Sequence, residues 1–212
     1  VLVWIHGGGL CGGSGSLAWH NATKLVAREN VIVVTLNYRL GPLGFLALPE
    51  LQRTYGANGG GNGFRDQLAA LRWVKAHIGA FGGDAGAFTI FGESSGGVST
   101  CVLNASPEAA GLFRRAIVQS GPCIVAGEGW GPGSSAYGLE LGANLTKRLG
   151  APTLADLRRL PPQLLQWNND TLMDDNFAGY FVDGLVLPTA STPRDAYTSG
   201  KTHAAELIVG AT

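Results

Sequence analysis

The sequence predicts an α/β protein whose core is a mostly parallel sheet with helices on both faces. Short apolar runs, which are typical of buried parallel strands, alternate along the chain with segments of helical periodicity. The 212 residues are 45% apolar and 14% charged, a composition that suits a single packed core. Strands are predicted at Val1–Ile5, Val31–Leu36, Phe88–Phe91, Ala116–Gln119 and Glu206–Val209.

Helical periodicity is clearest between Phe64 and Ile78, where Leu68, Leu71 and Val74 recur at the spacing of one helix face. The alternation of strands and helices fails over about residues 123–200. We interpret that stretch as an inserted, mostly helical subdomain within one domain that spans residues 1–212. Further helices are predicted at Leu17–Glu29, Gly97–Leu103, Ala136–Leu149 and Leu154–Leu160, with a turn-rich excursion at Leu40–Phe45.

The charge pattern argues against several classes of partner. Lys plus Arg and Asp plus Glu each total 15, and no basic block occurs, so nucleic acid is a poor partner. No apolar run is long enough to span a bilayer, which predicts no integral membrane segment in this stretch. No metal or cofactor is predicted, and the sequence does not indicate an oligomeric state.

The two ends of the chain both lie in predicted strands, at Val1–Ile5 and Leu207–Val209. Domains seldom begin and end in the middle of a sheet. We therefore expect the chain to be a piece of a longer protein.

The segment Gly92-Glu93-Ser94-Ser95-Gly96 follows a predicted strand and fits the pattern G-x-S-x-G. In that pattern the serine occupies a strained turn between a strand and a helix, with its hydroxyl exposed above the sheet. Flanking glycines are needed because side chains two positions away would collide at such a turn. The pattern also arises by chance in Gly/Ser-rich turns, so the surrounding sequence must decide whether this serine is a nucleophile.

The segment His6-Gly7-Gly8-Gly9 follows the first predicted strand. Its uncovered backbone N–H groups can form one wall of an oxyanion hole, as in the HGGG-type motif of esterases. Gly7, Gly9 and Gly12 also satisfy the dinucleotide pattern G-x-G-x-x-G. That alternative expects an acidic residue at the end of the next strand, where Asn37 and its neighbours offer none.

With both motifs present, the chain resembles the type B carboxylesterases, a family that includes the cholinesterases and has the α/β-hydrolase fold. The resemblance is dense from Val1 to about Gly121 and returns at the end of the chain. It implies a partial α/β-hydrolase domain of a serine carboxylic-ester hydrolase that acts on a small-molecule ester. The segments that carry it are Val3–Gly9, Asn37–Phe45, Gly61–Gly63, Asp66–Gln67, Ala80–Asp84, Phe91–Ser94, Arg115–Gly121, Val182–Gly184 and Ile208–Gly210.

The resemblance also implies roles for individual residues. Ser94 is the expected nucleophile, which attacks an ester carbonyl to form an acyl-enzyme. The backbone N–H groups of Gly8, Gly9 and Ser95 are the expected oxyanion hole. Glu93 is either a supporting acid in the pocket or a brace of the turn through hydrogen bonds, and both interpretations stay open.

Three positions depart from the family pattern. Ser95 stands where Ala is usual, and little is expected to change because the backbone N–H is the group required there. Ala85 stands where Pro usually follows Asp84. Leu10 replaces a usual aromatic residue, which predicts a wider acyl side of the pocket.

The general base and its acid are assigned to no residue of this chain. In this fold the acid follows a late strand and the histidine comes later still. We therefore expect both beyond Thr212, and we expect residues 1–212 alone to be inactive. Four histidines are present and none is chosen as the base: His6, His20, His77 and His203.

A non-catalytic adhesion or binding module is the rival interpretation, because this fold also serves as a binding ectodomain. Such relatives generally lose the nucleophile, whereas Ser94 is present here. Labelling of the serine by a fluorophosphonate separates the two interpretations.

Several other residues are predicted to be structural. The resemblance implies a buried ion pair between Arg39 and Asp66, and it gives Asp183 a structural place at the pocket edge. Trp4 and Trp73 are predicted to lie in the core.

Cysteines and glycosylation sequons bear weakly on the compartment. Three cysteines, Cys11, Cys101 and Cys123, cannot all pair with one another, and buried small side chains are the favoured interpretation. Four N-x-[ST] sequons favour an extracellular or secretory location, with the second weakened by a following proline. They are at Asn21, Asn104, Asn144 and Asn169.

Overall fold

Five strands form one parallel sheet in the part of the chain that the structure describes. The structure is a computed structural model that describes residues 1–55, 59–124, 133–166, 180–188 and 192–211. The strands follow the order β2-β1-β3-β4-β5, and every neighbouring pair is parallel. The predicted parallel sheet is therefore confirmed. The strands are β1 Leu2–Ile5, β2 Val33–Thr35, β3 Thr89–Glu93, β4 Arg115–Gln119 and β5 Glu206–Gly210.

Helices connect these strands, as parallel pairing requires. Short 3₁₀ turns occur at Ala18–His20, Ile78–Phe81, Pro107–Ala109 and Pro162–Leu165. The helices in the described ranges are α1 Thr23–Glu29, α2 Gly41–Phe45, α3 Pro49–Tyr55, α4 Asn62–His77, α5 Ser95–Ala105, α6 Ser135–Arg148, α7 Leu154–Leu157 and α8 Pro193–Thr198. None of these helices is both long and apolar enough to cross a bilayer.

The main core lies between the sheet and helices α4 and α5. Buried strand residues such as Val3 and Ile90 pack in one cluster with Leu68 and Leu71 of α4 and Val102 of α5. The predicted helix is therefore present as α4, and the residues that recur at helical spacing form its buried face. Burial of each such side chain stabilises the fold by about 1.5–3 kcal/mol.

Two predictions about exposed segments are wrong. Residues predicted as one helix from Leu17 to Glu29 form the turn Ala18–His20 and then α1. The Asn21 carboxamide separates them, because it accepts hydrogen bonds from both the backbone N–H and the hydroxyl of Thr23. Trp73, predicted as core, is 50% exposed on the outer face of α4.

The turn-rich excursion at Leu40–Phe45 is in fact the short helix α2. Its Phe45 is fully buried and packs edge-on against Phe64, with ring centroids 5.3 Å apart. Helix α3 follows directly. Helix α2 is short and rich in Gly and Pro, so tertiary packing and not local propensity makes it helical.

A second apolar cluster joins α6 and α7 to the segment that follows α2. Leu145 and Leu157 pack there with Leu46, Leu51 and Phe181. The described parts of residues 123–200 are thus helical where helices were predicted, although α7 ends at Leu157 and not at Leu160. The assignment of this stretch to an inserted subdomain stays a prediction.

The cysteines and one sequon differ from expectation. Cys101 of α5 and Cys123 are joined by a disulfide, so these two are not simply buried small side chains. Asn104 is fully buried, and its carboxamide accepts from the N–H groups of His203 and Ala204, which removes it as a glycosylation acceptor. Asn21 and Asn144 are exposed, and Asn169 lies outside the described residues.

The expected ion pair between Arg39 and Asp66 is present but not buried. Nε of Arg39 lies 2.7 Å from one Asp66 oxygen and Nη2 lies 2.7 Å from the other. The two side chains are 52% and 27% exposed, respectively. A second pair is far more enclosed, since the side chain of Asp183 is 1% exposed where it meets Nη2 of Arg65 at 2.9 Å.

Asp183 also accepts hydrogen bonds from the N–H groups of Leu185 and Leu187, at 3.1 and 2.9 Å. Replacing Asp183 with alanine removes the buried carboxylate that Arg65 and two backbone N–H groups share, so we expect Asp183→Ala to destabilise the protein by about 3–5 kcal/mol. In the control, Asp66→Ala, the lost pair is more exposed, although Asp66 also accepts the backbone N–H of Arg39, so stability should fall by only about 1–2 kcal/mol. Urea unfolding of the two variants measures both, and equal losses would contradict the contrast.

Candidate active site

Ser94 occupies the sharp turn between β3 and α5. Its backbone has φ 55° and ψ −125°, a conformation that L-residues rarely adopt and that costs about 1–3 kcal/mol. The turn is held by hydrogen bonds from Ser94 N–H to the Gln119 carbonyl and from Val98 N–H to the Ser94 carbonyl, at 2.9 and 3.0 Å. The strained turn predicted from G-x-S-x-G is therefore present.

Glycine is required on the helix side of this turn. A Cβ atom at Gly96 would collide with the carbonyl oxygen of Ile5 at the end of β1. The nucleophile turn, residues 92–96, can thus approach β1 closely, and β1 leads directly into the glycine loop.

The glycine loop, residues 7–13, lies against the nucleophile turn. A Cβ atom at Gly7 would sit 3.2 Å from the Cβ of Ser94. The carbonyl of Gly8 accepts from the N–H groups of Cys11 and Gly12, at 3.1 and 2.9 Å, which curls the loop into a tight turn. Gly8 has φ 116° and Gly9 has φ 65°, so both positions favour glycine.

Three backbone N–H groups, two in the glycine loop and one at the start of α5, have no acceptor within the described residues. They belong to Gly8, Gly9 and Ser95. Ser95 is the first residue of α5, where N–H groups lack partners inside the helix. The structure thus brings together the residues that the sequence singled out from two distant motifs.

Glu93 ends β3 and is exposed. Its carboxylate makes no hydrogen bond or ion pair with any residue that the structure describes. The interpretation of Glu93 as a hydrogen-bonded brace of the turn is therefore not supported here.

The side chains of the four histidines are occupied elsewhere or exposed. Nδ1 of His6 and Nδ1 of His20 contact backbone carbonyls of the glycine loop and its continuation, and Nε2 of His203 contacts the carbonyl of Ser106. His77 is exposed beside Trp73. No histidine among the described residues hydrogen-bonds to Ser94.

His6 is buried, and burial lowers its pKa, so its ring is neutral near pH 7. It stacks on Tyr38 with ring centroids 4.4 Å apart. The Tyr38 hydroxyl donates to the His6 carbonyl at 2.7 Å. Sequence reasoning assigned no role to Tyr38, although it follows the second strand at the edge of the sheet where the site lies.

Cys11 and Leu10 continue the glycine loop. The Cys11 thiol donates to the Gly9 carbonyl at 3.2 Å, and burial raises its pKa to about 12. Leu10 is only 2% exposed, so its side chain packs into the core. A cavity of about 320 Å³ opens beside this loop, lined by Cys11, Tyr38, Leu40, Gly41, Leu43, Leu165 and Gln166.

The dinucleotide alternative finds no support in this geometry. The glycine loop does not lead into a helix, and the carboxamide oxygen of Asn37 accepts from the N–H of Gly15 at 2.9 Å. A dinucleotide site would place an acidic residue after β2 and a helix N-terminus beside the glycines.

A parallel sheet flanked by helices, with a strained serine between its third strand and the next helix, defines the α/β-hydrolase fold. The family model described as "Carboxylesterase family" matches residues 1–212. The chain therefore belongs to the carboxylesterase family.

Two curated relatives illustrate the similarity. The para-nitrobenzyl esterase of Bacillus subtilis (strain 168) is 40% identical over 215 aligned residues, which cover 100% of this chain and 43% of that protein. The fumonisin B1 esterase of Sphingopyxis macrogoltabida is 37% identical, covering 99% of this chain and 38% of that protein.

A solved structure of a carboxylesterase is also similar to this chain. The carboxylesterase of Geobacillus stearothermophilus superposes with a TM-score of 0.86 at 37% identity, covering 99% of this chain and 44% of that one. The chain spans less than half the length of these relatives.

Proposed function

We propose that the protein containing this chain is a serine carboxylic-ester hydrolase that works through an acyl-enzyme on Ser94. The observation that carries the proposal is the set of three unpartnered N–H groups, of Gly8, Gly9 and Ser95, beside a serine held in a strained turn. Preorganised donors of this kind stabilise the charge that develops on an ester carbonyl oxygen.

The reaction follows from this arrangement. A base removes the hydroxyl proton as Ser94 Oγ bonds to the ester carbonyl carbon, and the carbonyl oxygen gains a negative charge. The three N–H groups donate to that oxygen. The tetrahedral intermediate collapses, the alcohol leaves with the proton, and the acyl group stays on Ser94. Water then attacks the acyl-enzyme, releases the carboxylic acid and restores the serine hydroxyl.

We further propose that the base and its orienting acid are contributed by residues outside positions 1–212. The support is that the histidine side chains of the described residues contact other groups, and that the matching relatives are more than twice as long. Glu93 is kept as a supporting acid of the pocket, since it adjoins Ser94 and is exposed.

A fluorophosphonate probe tests the nucleophile directly. Incubation of the intact protein should add one phosphonyl group to the peptide that contains Ser94, as read by mass spectrometry. Labelling should fail after heat denaturation, because activation of the hydroxyl depends on the folded site. A natively folded protein that stays unlabelled would favour the non-catalytic binding module.

We also propose that the protein works in an extracellular or secretory compartment. The Cys101–Cys123 disulfide supports this, because disulfides persist in oxidising surroundings. The exposed sequons at Asn21 and Asn144 add weaker support. Peptide mapping of the natural protein under non-reducing conditions should recover the linked pair, and two free thiols would remove the support.

A further inference from the structure

The Ser95 side chain links the nucleophile turn to the glycine loop. Its hydroxyl oxygen accepts a hydrogen bond from the backbone N–H of Leu10 at 3.2 Å, across 85 residues of sequence. Ser95 is only 2% exposed, so the bond is shielded from water.

A second hydrogen bond acts at the other end of the loop. Burial raises the pKa of Tyr38, so its phenol stays protonated, and its proton is donated to the His6 carbonyl at 2.7 Å. The loop is therefore held by one hydrogen bond at Leu10 and by another at His6.

These two hydrogen bonds hold both limbs of the glycine loop. His6 precedes the three glycines and Leu10 follows them. Leu10 is in the left-handed region with φ 61°, an unfavourable conformation for a leucine, so it needs external support. Its N–H is bound by Ser95, and its carbonyl accepts from the N–H of Gly41 at 2.7 Å.

We propose that the Ser95 hydroxyl is a positioning group that sets the glycine loop, and so the Gly8 and Gly9 donors, relative to Ser94. The proposal rests on the proposed function. One residue then acts twice, because the Ser95 backbone supplies a donor while its side chain aligns the other two. An alanine at this position would keep the backbone donor and lose the alignment.

Loss of the hydroxyl has a defined local consequence. The Leu10 N–H would be left buried without a partner, which is unfavourable, and the loop would shift to relieve it. Donors aimed at a developing oxyanion act mainly on the transition state, so the shift should lower kcat more than it changes KM.

Amide hydrogen exchange gives a readout that does not depend on activity. In the intact protein, Ser95→Ala should speed exchange at the Leu10 amide by about tenfold or more, because the amide loses its acceptor. Exchange in α4 should stay unchanged. If Leu10 exchanges at the same rate in the variant, the hydrogen bond does not hold the loop and the proposal is overturned.

Kinetics with p-nitrophenyl acetate give the second readout. Ser95→Ala should lower kcat by about three- to tenfold and leave KM within about twofold. Unchanged kcat in a variant whose Leu10 amide exchanges faster would overturn the positioning role. Absence of Ser94-dependent turnover in the unmodified protein would overturn the proposed function, and the positioning role with it, whatever the exchange rate at Leu10.

Ser99→Ala is the matched control. Ser99 lies one turn further along α5, is also fully buried, and accepts a hydrogen bond from the Gln67 carboxamide at 3.1 Å. It does not contact the glycine loop through any hydrogen bond among the described residues. Loss of the Ser99 hydroxyl should lower thermal stability about as much as Ser95→Ala does. The exchange rate of the Leu10 amide and kcat should stay as in the unmodified protein. An equal fall in kcat in both variants would show a general loss of packing and overturn the proposal.

Discussion

Replacing Ser94 with alanine in the intact protein is expected to lower ester turnover by roughly 10⁴-fold or more. The acyl-enzyme cannot form without the hydroxyl, and the oxyanion donors and substrate binding alone leave only a small residual rate. Stability should stay within about 0.5 kcal/mol, because alanine meets the same backbone strain at φ 55° as serine does. Initial rates with p-nitrophenyl acetate and a thermal melt measure both quantities.

Ser106→Ala is a suitable control for this variant. Ser94 is the N-cap residue of α5 and Ser106 is its C-cap residue, so the two serines lie at opposite ends of one helix. The Ser106 hydroxyl is buried and has no hydrogen-bond partner among the described residues. Its removal should leave turnover unchanged. Turnover of Ser94→Ala within tenfold of the unmodified rate, with an unchanged melt, would exclude Ser94 as the nucleophile.

The parts of this fold that could be predicted are those with strong local signals. The apolar runs Val1–Ile5 and Phe88–Phe91 locate two central strands within a residue or two, because a strand buried in a parallel sheet must be apolar. The nucleophile turn was found for a related reason, since few residues except glycine fit at Gly96. In both cases the residues that form the recognisable pattern are the same residues whose type is restricted, by burial in the strands and by close packing at the turn.

Features set by distant contacts could not be predicted in this way. The helix α2 exists because Phe45 packs on Phe64, and a reading of Gly-Pro-Leu-Gly alone indicates a turn. Burial of the Arg39–Asp66 pair was inferred from resemblance, whereas exposure depends on what covers the pair in space. The pairing of Cys101 with Cys123 depends on where β4 returns beside α5.

The same distinction applies to the candidate site. The identities of Ser94, Gly8 and Gly9 come from short motifs, and the structure places the loop that holds both glycines against Ser94, through Gly7. The role of the Ser95 hydroxyl comes from a contact across 85 residues, with Leu10. The sequence predicts a role only for the backbone N–H of Ser95, because no local pattern indicates a role for its side chain.

The second large effect is expected at Gly9. Its φ of 65° is unfavourable for a β-branched residue, so Gly9→Val should push the peptide toward a negative φ and turn its N–H away from the oxyanion. Loss of one such donor typically lowers kcat by about 10²–10³. KM should change little, because the donor acts on the transition state and not on the bound ester. Steady-state kinetics on a p-nitrophenyl ester separate kcat from KM.

Gly150→Val isolates this effect from backbone strain in general. Gly150 has φ 60°, close to the value at Gly9, and at either position an added Cβ would meet no atom within 4 Å. Gly150 follows α6, outside the glycine loop and the nucleophile turn. The two valines should therefore destabilise the protein by similar amounts, whereas only Gly9→Val should reduce kcat. A rise in KM at constant kcat for Gly9→Val would mean that the loop binds the substrate and does not stabilise the transition state.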